Sequence, residues 1–224
     1  MLYKTFDASK YRKVYAVGDL HGCYTLFMKE LEKINFDFQQ DLIVSVGDFI
    51  DRGYENLECI QLLSEPWFIS IRGNHEDICI RSSSSSEYKR FHKENGGEWF
   101  YLIKEEVQFY IIKLFEQLPI ALELNFQNKK IGFVHAHLEQ NDWLEFKNLL
   151  LTDTNNRMIQ DHALWGCERI NVHNRQYIQV SNIDAVILGH TVFKQPFRRD
   201  NCYYIDTGAG HGGKVTLLDL STLV

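Results

Sequence analysis

Apolar residues along this chain gather in short runs, and most of the runs stop at a glycine or a charge. "KVYAV" (13–17) is rich in β-branched and aromatic residues and ends at Gly18, which predicts a strand. "TLFMKELEKI" (25–34) places Leu26, Phe27, Leu31 and Ile34 at helical spacing. "DLIVSV" (41–46) reads as a strand, "ENLECIQLL" (55–63) as a helix with Leu57, Ile60 and Leu63 on one face, and "PWFISI" (66–71) as a strand. A βαβαβ opening of this kind predicts parallel strands.

The pattern changes over 78–118. "RSSSSSEYKR" holds five consecutive serines, which resist helix and strand alike and predict a mobile surface loop. After a Gly-Gly break, "GGEWFYLIKEEVQFYIIKLFEQL" reads as helical, so 78–118 is expected to be a helical insertion acting as a lid. Strands resume at "IALEL" (120–124), "KIGFV" (130–134), "AVIL" (185–188), "CYYI" (202–205) and "KVTLLDL" (214–220), some close enough in sequence to pair antiparallel. The class is α/β (α+β). No repeat and no second domain boundary is visible, so residues 1–224 are expected to form one domain.

Bulk numbers narrow the possibilities. The 224 residues suffice for a substantial core, and 45% hydrophobic with 24% charged residues is a globular composition. A net charge of −6 argues against nucleic acid or an acidic membrane surface as a partner. No signal-peptide pattern and no run of about 18 apolar residues is present, so a cytoplasmic protein is expected. The five cysteines are scattered and form no CxxC pair, which predicts free thiols.

Chemistry concentrates at the strand ends. The runs lead into Gly18-Asp19-Leu20-His21-Gly22, Gly47-Asp48 with Asp51-Arg52-Gly53, Arg72-Gly73-Asn74-His75-Glu76, His135, Gly189-His190 and Asp206-Thr207-Gly208. In α/β sheets the carboxyl ends of strands are where ligands bind. Asp19, His21, Asp48, Asn74, His135 and His190 offer oxygen and imidazole donors without sulfur, a set that suits Mn, Fe, Zn or Ni better than Ca or Mg. Six donors exceed the needs of one catalytic metal. Two metals sharing a carboxylate would use them, and such pairs about 3.5–4 Å apart serve phosphoester hydrolysis.

Each piece has a bland reading. GDxHG alone is a turn with a cap, and a lone histidine after a strand, such as His135 or His190, is more often structural. Asp206 is assigned to turn chemistry, and His92, His137, His162, His173 and His211 to structural or surface roles. The conjunction of all these motifs at strand ends, in this order, favours chemistry.

GDLHG (18–22), GDFIDRG (47–53), RGNHE (72–76), His135 and GHT (189–191) resemble the phosphoprotein phosphatases of the calcineurin-like metallophosphoesterases. "KYRKVYAVGDLHGCYT", "NGGEWF" and "YYIDTGA" look like the bacteriophage lambda-type serine/threonine branch. The resemblance implies a β-sandwich flanked by helices with two divalent metals, most often Mn2+, at one edge. Carried over by residue, it implies that Asp19, His21 and Asp48 hold one metal, and that Asp48, Asn74, His135 and His190 hold the other. It implies that a metal-bridging hydroxide attacks phosphorus directly, that His75 protonates the leaving alkoxide, that Asp51 orients His75, and that Arg52 and Arg72 grip the phosphate. The implied substrates are phosphoserine and phosphothreonine in proteins or peptides, with phosphotyrosine a further candidate. One departure stands out: Cys167 in "LWGCERI" occupies the place of a phosphate-binding arginine, and Arg169 is the candidate to replace it. A dinucleoside-tetraphosphate hydrolase with the same metal core is the alternative enzyme, although DRG and GNHE count against it. A silent, metal-stabilised binding module is the alternative of another class.

Overall fold

A computed structural model describes residues 2–171, 173 and 176–223. Its strands are β1 (Tyr3–Asp7), β2 (Lys13–Val17), β3 (Asp41–Ser45), β4 (Phe68–Ser70), β5 (Ala121–Phe126), β6 (Lys129–Val134), β7 (Ala185–Leu188), β8 (Phe197–Arg199), β9 (Cys202–Tyr204) and β10 (Leu217–Asp219). They form two sheets, ordered β10-β2-β3-β4 and β1-β5-β6-β7-β9-β8. The α-helices are α1 (Tyr24–Lys33), α2 (Asn56–Gln61), α3 (Asn74–Ser82), α4 (Ser86–His92), α5 (Glu105–Gln117), α6 (Trp143–Thr152) and α7 (Arg157–Trp165).

The sheets pack face to face, with helices outside each. Val14, Ala16, Leu42 and Val44 of the smaller sheet meet Leu122, Leu124, Phe133 and Ile187 of the larger one. On the far side of the smaller sheet, Tyr15, Val17 and Ile43 bury against Phe27 and Leu31 of α1, Ile60 of α2, and Ile111 and Phe115 of α5. On the far side of the larger sheet, Ala121, Val134, Val186 and Leu188 meet Trp143 and Phe146 of α6 and Leu164 of α7. Central strands are thus covered on both faces, which is why they read as continuous apolar runs rather than alternating ones.

The predicted parallel unit forms: β2 pairs with β3 and β3 with β4, all parallel. In the other sheet β6, β7 and β9 also run parallel. The predicted antiparallel pairing occurs between β5 and β6, and β10 also pairs antiparallel with β2, a pairing not predicted above. The expected strand 214–220 shortens to β10, while Lys214 instead makes isolated bridges with Thr207 and Gly208, its amide donating to the Thr207 carbonyl at 3.1 Å.

Residues 74–117 are mostly helical and carry the chain from β4 in one sheet to β5 in the other. The serines do not form the expected loop; they make the corner between α3 and α4. Ser82 and Ser83 donate their hydroxyls to the carbonyls of Cys79 and Ile80 at 2.8 and 2.7 Å, and Ser85 caps α4 by accepting from the Tyr88 amide at 3.3 Å. Short hydroxyl side chains satisfy helix-end groups that otherwise need water. No element is predicted above for the stretch holding α6 and α7. Its signals are local: Asp142 Oδ1 accepts from the amides of Leu144 and Glu145 at 2.8 and 3.2 Å, and Asn156 Oδ1 from that of Ile159 at 3.4 Å.

Candidate active site

Because β2, β3 and β4 are parallel in one sheet and β6, β7 and β9 in the other, each trio ends on a single edge. Those ends deliver the motif residues to one locus, where the sandwich opens. The backbone there is bent hard. His21 (φ 44°), Asp48 (51°), Asp51 (71°), Arg52 (69°) and His190 (64°) all lie in the left-handed region. For non-glycine residues this costs on the order of 1–3 kcal/mol each, and such strain collects at functional sites. Gly73 and Gly189 permit the close packing that results. A Cβ on either would collide with a carboxylate oxygen, that of Asp48 or of Asp19 respectively.

Asp48 is the centre. Its Oδ1 accepts from the His75 amide at 2.9 Å. Its Oδ2 lies 3.7 Å from His21 Nε2, 3.9 Å from His75 Nε2 and 3.4 Å from His135 Nε2. The amides of Asp48 and Phe49 donate to Glu76 at 2.9 and 3.1 Å, a carboxylate that also accepts from Gly73 N at 2.8 Å. Glu76 is fully buried, and burial followed by the charge of Asp48 pushes its pKa up to about 7. Sequence reasoning gave Glu76 no role.

The imidazoles are oriented by their outer nitrogens. His21 Nδ1 is 2.9 Å from the Ile50 carbonyl and His135 Nδ1 is 2.7 Å from that of Val46, so each Nδ1 donates and Nε2 faces inward. Asn74, first residue of α3, points Oδ1 at His135 Nε2 (2.8 Å) and His190 Nδ1 (3.0 Å). Burial pulls His21 down to about 3 and His190 down to about 4, which keeps both neutral, the form that binds metal. For His135, burial is outweighed by Asp48, and the pKa rises to about 10, so ligation there would release a proton. Burial and the nearby Asp206 raise Asp19 well above the usual carboxylate range. Asp206 itself makes the expected turn bond, accepting from Gly208 N at 2.8 Å.

This donor set fits divalent cations. Ligand bonds of about 2.0–2.2 Å put two donors on one ion at roughly 3–4 Å, and the inward-facing atoms have that spacing. Most are too far apart to hydrogen-bond. His21, Asp48 and His75 form one trio, and Asp48, His135 and His190 another, each with donor atoms within 4.8 Å of one another. Asp48 belongs to both. His75 enters the first trio where the resemblance implies Asp19, whose Oδ2 is 3.9 Å from His21 Nε2. His75 is set apart by its other nitrogen: Nδ1 is 2.7 Å from Asp51 Oδ2. Burial lowers the His75 pKa, but Asp48 and the Asp51 hydrogen bond more than offset it, and the net shift is upward.

The three arginines assigned to phosphate go to different places. Arg52 is exposed and reaches the cluster, its Nη1 2.6 Å from His21 Nε2. Arg72 is buried; its Nη2 donates to the carbonyls of Glu116 and Leu118 at 3.0 and 3.3 Å, and its Nη1 lies 3.4 Å from Asp77. It braces the end of α5 against α3. Arg169 is 1% exposed and its three guanidinium nitrogens donate to the carbonyls of Leu138, Gln140 and Ile178, and to Asn141 Oδ1. With Tyr177 stacked on it at 4.9 Å, Arg169 ties loops together.

Sequence reasoning also left His92 as structural and Trp99 unassigned. Both reach Asp51: His92 Nε2 is 3.0 Å from Oδ2, and Trp99 Nε1 donates to Oδ1 at 2.8 Å. Burial raises the Asp51 pKa, but the hydrogen bonds from His75 and His92 dominate and hold it at about 2.

The profile of the calcineurin-like phosphoesterases matches residues 12–193, and the chain belongs to that family of hydrolases. Among individual proteins, it is 36% identical to serine/threonine-protein phosphatase 1 of Salmonella typhimurium, over 96% of this chain and 95% of that one. It is 26% identical to an asymmetrical bis(5'-nucleosyl)-tetraphosphatase, PrpE, of Anoxybacillus flavithermus, covering 90% of this chain and 88% of the relative. A solved serine/threonine phosphatase from Saccharomyces cerevisiae shares the fold with a TM-score of 0.64 at 17% identity, over 92% of this chain and 70% of its own.

Two outcomes follow. Asp48→Asn removes the charge common to both trios, so bound divalent metal should fall by more than about a hundredfold in affinity, the upper range for groups that merely orient a ligand; equilibrium dialysis with elemental analysis measures it. Arg169→Ala strands several buried carbonyls and should lower stability by about 2–4 kcal/mol. Inhibition by free phosphate should meanwhile stay within about twofold of the original, since a charge-assisted contact is worth at least about tenfold.

Proposed function

We propose that the protein is a metal-dependent phosphomonoesterase that removes phosphate from phosphoserine and phosphothreonine in proteins. The observation that carries this reading is the pair of groups meeting at Asp48: a buried carboxylate faced by inward-pointing imidazoles, next to a histidine whose far nitrogen is held by a second carboxylate. Asp19, His21 and Asp48 would hold one cation, and Asp48, Asn74, His135 and His190 the other, with Mn2+ the preferred ion and Fe, Zn or Ni compatible with the donors. Bound there, such ions acidify water and offset the charge of phosphoryl oxygens.

The residues do the rest. Arg52 is the one of the three arginines with a guanidinium at the open face, and its fork suits two equatorial oxygens of a phosphate. A serine or threonine alkoxide leaves poorly and needs a proton. His75 Nε2 faces the site while Nδ1 is engaged by Asp51, so the ring can give up its Nε2 proton and remain correctly oriented. Burial lowers the His75 pKa, but the neighbouring Asp48 and Asp51 shift it upward overall, which favours the protonated ring. Similarity over nearly full length to a serine/threonine-protein phosphatase supports the substrate class, and the tetraphosphatase relative is more distant.

The reading is tested by comparing kcat/KM on a phosphoserine peptide and on diadenosine tetraphosphate with added Mn2+. The peptide should be preferred by at least about tenfold, a difference of roughly 1.4 kcal/mol in barrier; the reverse order overturns the assignment in favour of nucleotide hydrolysis. His75→Asn should lower kcat on the peptide by about 10²–10⁴. The loss should be much smaller on p-nitrophenyl phosphate, whose leaving group hardly requires a proton, while metal content stays unchanged.

A further inference from the structure

The helical insertion is fastened to the site through Asp51. That carboxylate is 0% exposed and accepts from three different side chains. His75 Nδ1 and His92 Nε2 meet Oδ2 at 2.7 and 3.0 Å, Trp99 Nε1 meets Oδ1 at 2.8 Å, and His92 Nε2 is also 3.2 Å from Oδ1. The Asp51 amide donates to Asn56 Oδ1 at 2.6 Å. His92 ends α4 and Trp99 follows seven residues later, so two of the three donors come from the insertion.

The tautomer follows from the partners. A carboxylate accepts only, so His92 Nε2 carries a hydrogen, and Nδ1 lies 3.0 Å from the Tyr101 hydroxyl. The Gly-Gly break seen in the sequence serves this contact. A Cβ on Gly97 would run into the His92 ring. Gly96 has φ +97°, its carbonyl accepts from Arg52 N at 3.3 Å, and a Cβ there would come within 2.7 Å of that nitrogen. The turn is therefore pressed against Asp51 and Arg52 with no room for side chains.

We propose that His92 and Trp99 are positioning residues for the acid step, holding the Asp51 carboxylate at the one rotation that keeps Oδ2 in line with His75 Nδ1. A carboxylate bonded to His75 alone could turn about its Cβ–Cγ bond, and a hydrogen bond weakens steeply as it bends. With one oxygen pinned by the indole and the other shared by two imidazoles, that rotation is closed. His75 then keeps Nε2 directed at the leaving oxygen, and misplacement of a reacting group by about 1 Å can cost a hundredfold. The insertion would thus serve as a clamp on the acid's partner as well as a cover. The inference rests on His75 being the acid.

The competing possibility is that the same bonds merely anchor the insertion, and kinetics separate the two. His92→Phe removes the N–H and keeps a ring; His92→Gln returns an amide N–H close to the Nε2 position. Both are compared with the parent enzyme and His75→Asn, all loaded with Mn2+ and checked for metal content and thermal midpoint. His92→Phe should lower kcat on a phosphoserine peptide by about 10–10² and on p-nitrophenyl phosphate by less than about threefold, since only the first needs the full acid contribution of about 10²–10⁴. His92→Gln should restore most of the peptide activity. Equal losses on both substrates, no loss on either, or a Gln variant as poor as Phe would overturn the proposal. If His92→Phe does not fold, Trp99→Phe deletes the indole N–H from a half-buried site, and the same two-substrate comparison decides. Should His75→Asn itself show no substrate dependence, the acid assignment fails; should it show one while the His92 and Trp99 variants do not, only the clamp fails.

Discussion

The architecture depends on keeping one buried carboxylate, Asp48, in place. Its backbone is left-handed, its amide is taken by Glu76, and its carbonyl accepts from the amides of both Leu20 and His21 at 3.0 Å. Its side chain faces three imidazoles and the His75 amide in the first turn of α3. A buried anion without compensation is costly. The surrounding turns are shaped to bring donors, and by the reading above cations, to that charge. The strain in neighbouring residues is tolerable because two close-packed sheets and their helices determine where each turn must go.

The sandwich explains why a site can be assembled from five separate strand ends. Neither sheet supplies it alone: the smaller brings Asp19, His21, Asp48 and Asn74, the larger His135 and His190. Parallel strands in each sheet put their carboxyl ends on one edge, and packing the sheets together aligns the two edges. The helical insertion spans from one sheet to the other and closes onto the same locus through Asp51. Fold and site are therefore coupled.

The arginines illustrate how burial redirects a charge. Arg52, Arg72 and Arg169 offer the same chemistry in sequence. Arg52 follows a left-handed turn into solvent at the site, while Arg72 and Arg169 are surrounded by carbonyls of neighbouring loops. The guanidinium nitrogens of Arg169 are all engaged inside the protein, whereas Arg72 Nε has no hydrogen-bond partner there.

Much of this protein was legible from its sequence, for a physical reason. Strands covered on both faces must be apolar throughout, so β2, β3, β4, β6 and β7 announce themselves. The donors must be Asp, Asn and His at strand ends, with glycines where backbone approaches carboxylate, so their types and order are written in the motifs. Other features have no local signature. The serine corner looks like a loop until α3 and α4 present groups for the hydroxyls to satisfy. His92 is an ordinary histidine in a helix until the Gly-Gly turn presses it onto Asp51, forty-one residues earlier in the chain. Arg72 and Arg169 look alike in sequence, and only packing decides which carbonyls of other elements each meets. Residue type and spacing determine what a side chain can do; which partner it meets depends on contacts distant in sequence, and those only the packing of the two sheets and the insertion decided.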